Sequence, residues 1–155
     1  MLVRRYHKED CGEIIHLFYN TIHTINKKDY SESQLTAWAP SVDKIDYNQW
    51  HQSLLENFTI VVEKHNNIIG FGDIDRTGYL NRLFVHQSYQ SNGIATSICD
   101  KLEKHAKNIG LSEVKTEASI TAGTFFIARG YTVVKKQDIE REGEILTNYL
   151  MRKEL

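Results

Sequence analysis

Gly78-Tyr-Leu-Asn-Arg-Leu-Phe-Val85, followed four residues later by Gln90-Ser-Asn-Gly-Ile-Ala95, is the stretch whose reading decides the fold. Gly78 to Val85 reads as a strand. Ile94, Ile98, Leu102, Ala106 and Ile109 then recur at helical spacing until Gly110 stops the run. A strand that turns through a glycine directly onto a helix N-terminus aims several unpaired backbone N–H groups at one spot. The helix dipole adds about half a positive charge there, so a pyrophosphate can be held without a lysine or a metal. Gly93 lets the backbone come close. Taken alone, Gln-x-x-Gly-x-Ala is equally the pattern of an ordinary loop before a helix.

Working outward, Leu2 to Tyr6 starts as a short strand, and Ile14, Ile15, Leu17, Phe18, Ile22 and Ile25 give a core-facing helix over about 10–26, with Asp10 as its expected N-cap. Ser31 to Trp38 reads as a second helix capped by Ser31 and closed before Pro40, and Asp43 to Asn57 as a third. Phe58 to Glu63 and Ile68 to Asp75 make a hairpin about Asn66-Asn67. After the glycine loop and its helix come a strand at Leu111 to Ala118 and a short helix at Ile120 to Arg129. Two further strands, Tyr131 to Glu140 and Glu144 to Arg152, surround Glu142-Gly143. The order is α+β, with one parallel pair expected where a strand, a crossover helix and another strand follow each other from Gly78 to Ala118.

The chain has 155 residues, which predicts one domain over 1–155. Its net charge of −1 supplies no basic field to draw it to nucleic acid or anionic lipid, so any phosphate binding must be local. Cys11 and Cys99 make no disulfide framework, and Cys99, on the helix after the loop, reads as a small buried hydrophobe. The seven histidines form no metal-ligand spacing, so no metal is expected. No apolar run approaches the roughly 18 residues of a membrane span, and the expected location is the cytoplasm.

A second segment gives the loop a meaning. Ala122-Gly-Thr-Phe-Phe-Ile-Ala-Arg-Gly-Tyr131 is an amphipathic turn of helix closed by Gly-aromatic, and it follows a strand ending Glu-Ala-Ser119. With Leu83-Phe84-Val85 and the glycine loop, it resembles the two cofactor-binding motifs of the GCN5-related N-acetyltransferase (GNAT) superfamily. The resemblance runs from about Asn67 to the C-terminus. Trp38-Ala39-Pro40, Phe125-Phe126, the run from Ile139 to Gly143 and Leu146-Thr-Asn148 also look like a bacterial subgroup of that superfamily, itself largely uncharacterised.

The resemblance implies the GNAT fold: a central mixed, mostly antiparallel sheet with a splayed parallel pair, flanked by helices. It implies an acetyl-CoA-dependent N-acetyltransferase acting on the primary amine of a small molecule such as an amino acid or a polyamine. The backbone of Leu83, Phe84 and Val85 would then bind the pantetheine arm like an added strand. The amides of Gln90, Ser91, Asn92, Gly93, Ile94 and Ala95, with the Thr96 hydroxyl, would hold the pyrophosphate. Ser119 stands where the family often has Asn, Phe125 and Phe126 would wall the thiol end, and Arg129 would reach the adenosine 3′-phosphate.

Two departures concern the chemistry. The family often places a glutamate on the strand before the loop, near where Tyr79 stands here, so Tyr79 or Asn81 is expected to position a water that takes the amine proton. Many members protonate the leaving thiolate with a tyrosine at the position of Phe126, and Tyr19, Tyr131, Tyr149 or water remain as substitutes. Asp29, Tyr30, Trp38 and Trp50 in the early helices are expected to form the acceptor pocket, where an acid beside aromatic walls would suit a cationic amine. The alternatives are an acyl-CoA-binding sensor without turnover and an acetyltransferase for protein lysines or N-termini. The oligomeric state, a homodimer included, stays open.

Overall fold

The computed structural model describes residues 1–155. In chain order the elements are β1 (Leu2–Arg5), α1 (Cys11–Thr24), α2 (Glu32–Trp38), α3 (Tyr47–Glu56), β2 (Phe58–Lys64), β3 (Asn67–Ile74), β4 (Tyr79–Val85), α4 (Ile94–Asn108), β5 (Glu113–Ser119), α5 (Gly123–Ala128), β6 (Thr132–Arg141) and β7 (Glu144–Glu154). The seven strands form one sheet in the order β1-β2-β3-β4-β5-β7-β6. Every neighbouring pair is antiparallel except β4 and β5.

That parallel pair is short. Its register covers only Tyr79 opposite Lys115 and Leu80 opposite Thr116, after which the strands have no partner in each other. β4 carries an irregularity at the same place: Arg82 lies opposite Asp73, but Leu80 lies opposite Ile74, leaving Asn81 as an extra residue. A bulge of this kind bends its strand and increases the local twist. The fork between β4 and β5 therefore opens directly past the bulge.

Strand alternation divides the core in two. On one face Ile60, Val62, Ile69, Leu80 and Val114 pack beneath Ile94, Ile98 and Leu102 of α4. On the other, Val61 and Phe71 pack against Ile14, Phe18 and Ile22 of α1. Glycine sets the spacing of the first face. A Cβ at Gly72 would sit 2.8 Å from the Ile98 Cγ2 and 2.9 Å from the Arg82 carbonyl oxygen, so only glycine lets α4 lie this close to β3. The position of α4 in turn fixes the loop at its N-terminus.

Ser31 caps α2 as expected, its hydroxyl accepting the Gln34 amide N–H. Asp10 does not cap α1: its carboxylate accepts the His7 amide N–H and pairs with Arg4. The third helix begins at Tyr47 rather than Asp43 because Asp46 accepts the Gln49 amide N–H and caps it there. The last strand lies inside the sheet, between β5 and β6, with its turn at Glu142-Gly143 where both residues have positive φ. No helix is long and apolar enough to cross a membrane.

Candidate active site

A cavity of about 1070 Å³ passes through the fork and is walled by both halves of the molecule. Small-molecule sites usually occupy about 300–1,000 Å³, so this space suits a large ligand or two ligands together. β4 contributes Tyr79 to Val85, β5 contributes Thr116 to Ser119, the helices contribute Phe18, Trp38, Trp50, Phe125 and Phe126, and the segment before α2 contributes Tyr30.

On one side of the fork the wall is backbone. Gly93 sits at the start of α4 with φ +77°, no side chain caps that helix, and Ser91 also has a positive φ of 62°. The amide N–H groups of residues 91–96 meet no acceptor in the protein. Successive amides in such a turn form a concave anion site, and the dipole of α4 adds to it. Gln90, Ser91, Gly93, Ile94, Ala95 and Thr96 all border the cavity, whereas Asn92 does not. Past Leu80 the edge of β4 is free of β5, which leaves Leu83, Phe84 and Val85 beside an open edge. The Gln90 side chain turns inward, donating to the Val85 carbonyl at 2.6 Å, so its contribution to an anion is its backbone. Ser119 borders the cavity and accepts the Ala122 amide N–H, fixing the start of α5.

Arg129 lies elsewhere than the sequence suggests. It is off the cavity wall, its Nε donates to Glu103 at 2.7 Å and its Nη2 to Asp100 at 2.6 Å. Glu103 also receives Lys153 and the Tyr131 hydroxyl, so Arg129 belongs to an ion-pair network that ties α4 to the end of α5 and to β7. A buried carboxylate needs such partners, and they hold the guanidinium away from a phosphate.

On the other side of the fork the wall is made of side chains. The Tyr79 hydroxyl donates to Glu117 Oε1 at 3.0 Å, and Gln137 Nε2 donates to Oε2 at 2.9 Å. Burial and the adjacent Glu117 carboxylate push the Tyr79 phenol well above its ordinary value, so it remains a proton donor. Arg141 acts on the same phenol in the opposite sense. Asn81, the bulge residue, is exposed to the cavity.

Farther along this wall stands Arg82, with its Cζ 4.5 Å above the centre of the Trp50 ring. Its guanidinium donates to Asp73 and, at 3.1 Å, to the Ser53 hydroxyl. Asp73 is fully buried and also receives Asn57 Nδ2 at 3.0 Å, while its Oδ1 has no partner. Burial pushes the Asp73 carboxyl up, opposed by Arg82 and Asn57.

Tyr30 and Trp38 border the cavity in edge-to-face contact. The Tyr30 hydroxyl is committed, donating to the Thr147 carbonyl and accepting the Ile120 amide N–H, so it acts as a wall. Asp29 is off the wall and accepts the hydroxyl of Thr121, which itself borders the cavity. Phe126 is 2% exposed and packs between Phe125 and Tyr131. Of the tyrosines proposed in its place, Tyr19, Tyr131 and Tyr149 all lie off the wall, and Tyr131 is bound to Glu103.

Glu117 and Arg82 are the residues that sequence reasoning missed. The signal for Glu117 was present: two residues before Ser119 on a strand puts it on the same face as a recognised site residue. Arg82 had no comparable signal, because the bulge at Asn81 breaks the alternation that would assign its face.

Comparison with known proteins agrees with this geometry. Residues 26–155 match the family described as "Acetyltransferase (GNAT) domain". The chain is 31% identical over 151 residues to the "Uncharacterized N-acetyltransferase YafP" of Escherichia coli strain K12, covering 97% of this chain and 93% of that protein. A solved GCN5-related N-acetyltransferase from Rhodopseudomonas palustris superposes with a TM-score of 0.94 at 30% identity, covering 99% of this chain and 95% of that one. The PaiA N-acetyltransferase of Thermoplasma acidophilum, solved with coenzyme A, superposes at 0.76 with 21% identity, over 99% of this chain and 98% of that one. A forked sheet with an uncapped glycine turn at its mouth, matched over this much of the chain, places the protein in the GNAT family of acetyltransferases.

Proposed function

We propose that the protein transfers an acetyl group from acetyl-CoA to the primary amine of a small molecule, by direct attack with both substrates in the fork. The observation that carries this is the continuous cavity, with unpartnered amides at residues 91–96 on one side and the Tyr79–Glu117 pair on the other. The backbone of residues 91–96 and the Thr96 hydroxyl bind the pyrophosphate, and the free edge of Leu83 to Val85 receives the pantetheine arm. Ser119 borders that arm, and Phe125 and Phe126 wall its thiol end.

An alkylammonium, with a pKa near about 10, must lose a proton before it attacks. We assign that proton to Glu117, either directly or through one water oriented by Tyr79 and Asn81. The Tyr79 hydroxyl cannot be the base, since it is held protonated, but its hydrogen bond and that of Gln137 fix the carboxylate. A backbone N–H of β4 near Val85 faces the developing oxyanion. With no tyrosine at position 126, water protonates the thiolate, a small cost for a leaving group with a pKa near about 8.5.

Phe126 also favours a second reading, an acyl-CoA sensor without turnover. Thiol release separates the two. With acetyl-CoA and a panel of amines and amino acids, the enzyme releases CoA thiol in the presence of its acceptor; binding of CoA with no release across the panel supports the sensor and contradicts transfer.

A further inference from the structure

The acceptor side of the cavity carries an arginine that the transfer chemistry above does not use. Arg82 is held on three sides: Trp50 lies beneath its plane, Ser53 accepts from Nη2, and Asp73 accepts from Nη1. A guanidinium has five N–H donors, and two of them are used here. Its side chain is 14% exposed and borders the cavity. Asp73 is 0% exposed, does not border the cavity, and keeps one carboxylate oxygen unpartnered. Burying a carboxylate to this extent is costly unless it is paired, and an apolar residue would serve the core better. What the pair does accomplish is to hold one guanidinium at the edge of the acceptor space.

The charged residues around the cavity are Arg82, Glu117 and Arg141. Two cations and one anion make a poor host for a polyamine, which would meet repulsion from both arginines and could pair only with Glu117. Even with Asp73 counted, the surroundings are neutral rather than acidic. A fixed planar fork with free donors is instead the arrangement that recognises a carboxylate.

Resting on the acetyltransferase reading, we infer that the acceptor is an amine that also carries a carboxylate, as an amino acid does, with the carboxylate on Arg82 and the amine directed to Glu117. Asp73 and Trp50 are positioning residues that hold the guanidinium in place. This selects the amino-acid class over polyamines and simple alkylamines.

The test is CoA-thiol release with matched acceptors: a panel of amino acids, the amine left when each loses its carboxylate, and spermidine. The wild-type protein is expected to favour the best amino acid over its decarboxylated partner by at least about tenfold in kcat/KM, the size of one charge-assisted hydrogen-bond pair. Arg82→Gln should raise KM for that amino acid by about 10- to 100-fold with a smaller change in kcat, and should not weaken the decarboxylated amine to a comparable extent. Because Arg82→Gln leaves Asp73 buried and unpaired, the double variant Asp73→Asn/Arg82→Gln, which removes both charges, serves if the single variant does not fold. Stabilisation by CoA should be retained in whichever variant is used. Release that favours the decarboxylated amine or spermidine, or a loss on Arg82→Gln that is equal for both partners, overturns this inference alone. No release with any amine, while CoA still stabilises the protein, overturns the transfer reading and this inference with it.

Discussion

The two sides of the β4–β5 fork are built from different materials. The side proposed to take the cofactor is made of backbone: amides of residues 91–96, an uncapped helix start and a strand edge free of β5. The acceptor side is made of side chains held by other side chains, Tyr79 on Glu117 and Arg82 on Trp50, Ser53 and Asp73. A site made of backbone depends on conformation rather than on side-chain identity. A site made of side chains changes its chemistry with each residue, so the two halves should fail differently when perturbed.

The largest effect is expected on the acceptor side. Glu117→Gln keeps the size and the contact with Tyr79 but cannot take a proton, and kcat should fall by about 10²- to 10⁴-fold while CoA stabilises the variant as it does the parent. Parallel thiol-release and thermal-shift assays check this; a kcat within about threefold of the parent removes Glu117 from the chemistry. On the cofactor side, Gly93→Val places a β-branched residue at φ +77°, a strain of about 1–3 kcal/mol, and blocks close approach of an anion. CoA affinity should drop by about 10- to 100-fold by calorimetry. Unchanged affinity would mean the pyrophosphate is held elsewhere.

Beneath both sides, Gly72→Ala forces a Cβ against Ile98 and the Arg82 carbonyl, and about 1–3 kcal/mol of stability should be lost in denaturant melts. The Glu103 network predicts a pH effect. Burial alone would raise the Glu103 carboxyl, but hydrogen bonds from Arg129, Lys153 and Tyr131 outweigh it and hold it below its ordinary value of 4.5. A depressed carboxylate contributes stability that is complete above that value and is lost as pH falls through the lower folded value. Glu103→Gln should therefore be less stable than the parent at neutral pH, and the gap should narrow below about pH 4.5 in acid melts. The smallest effect is expected for Phe126→Tyr. A thiolate leaves without help, so turnover should change by less than about threefold, and a large rise would show that a missing acid limits the rate.

The same division explains what the sequence could reveal. Gly93, the spacing of α4 and the Gly-aromatic closing at Gly130-Tyr131 are conformational signals, and each is written in one or two residues. They located the fork and the backbone turn at its mouth. Arg129 went astray because its partners, Glu103 and Asp100, lie 26 and 29 residues away along the chain. Asp29 went astray for the same reason, its partner being Thr121. Periodicity does not report such pairings. Arg82 was hidden by the single inserted residue at Asn81, which shifts the register of β4 exactly where the acceptor wall begins.

Amide hydrogen exchange reads the unpartnered backbone N–H groups of the glycine turn without relying on turnover. Without ligand, the amides of residues 91–96 have no acceptor in the protein and should exchange rapidly. Saturating CoA should slow them by at least about tenfold, with no comparable change around Arg129. Rapid exchange at residues 91–96 in the presence of bound CoA would show that these amides do not hold the cofactor.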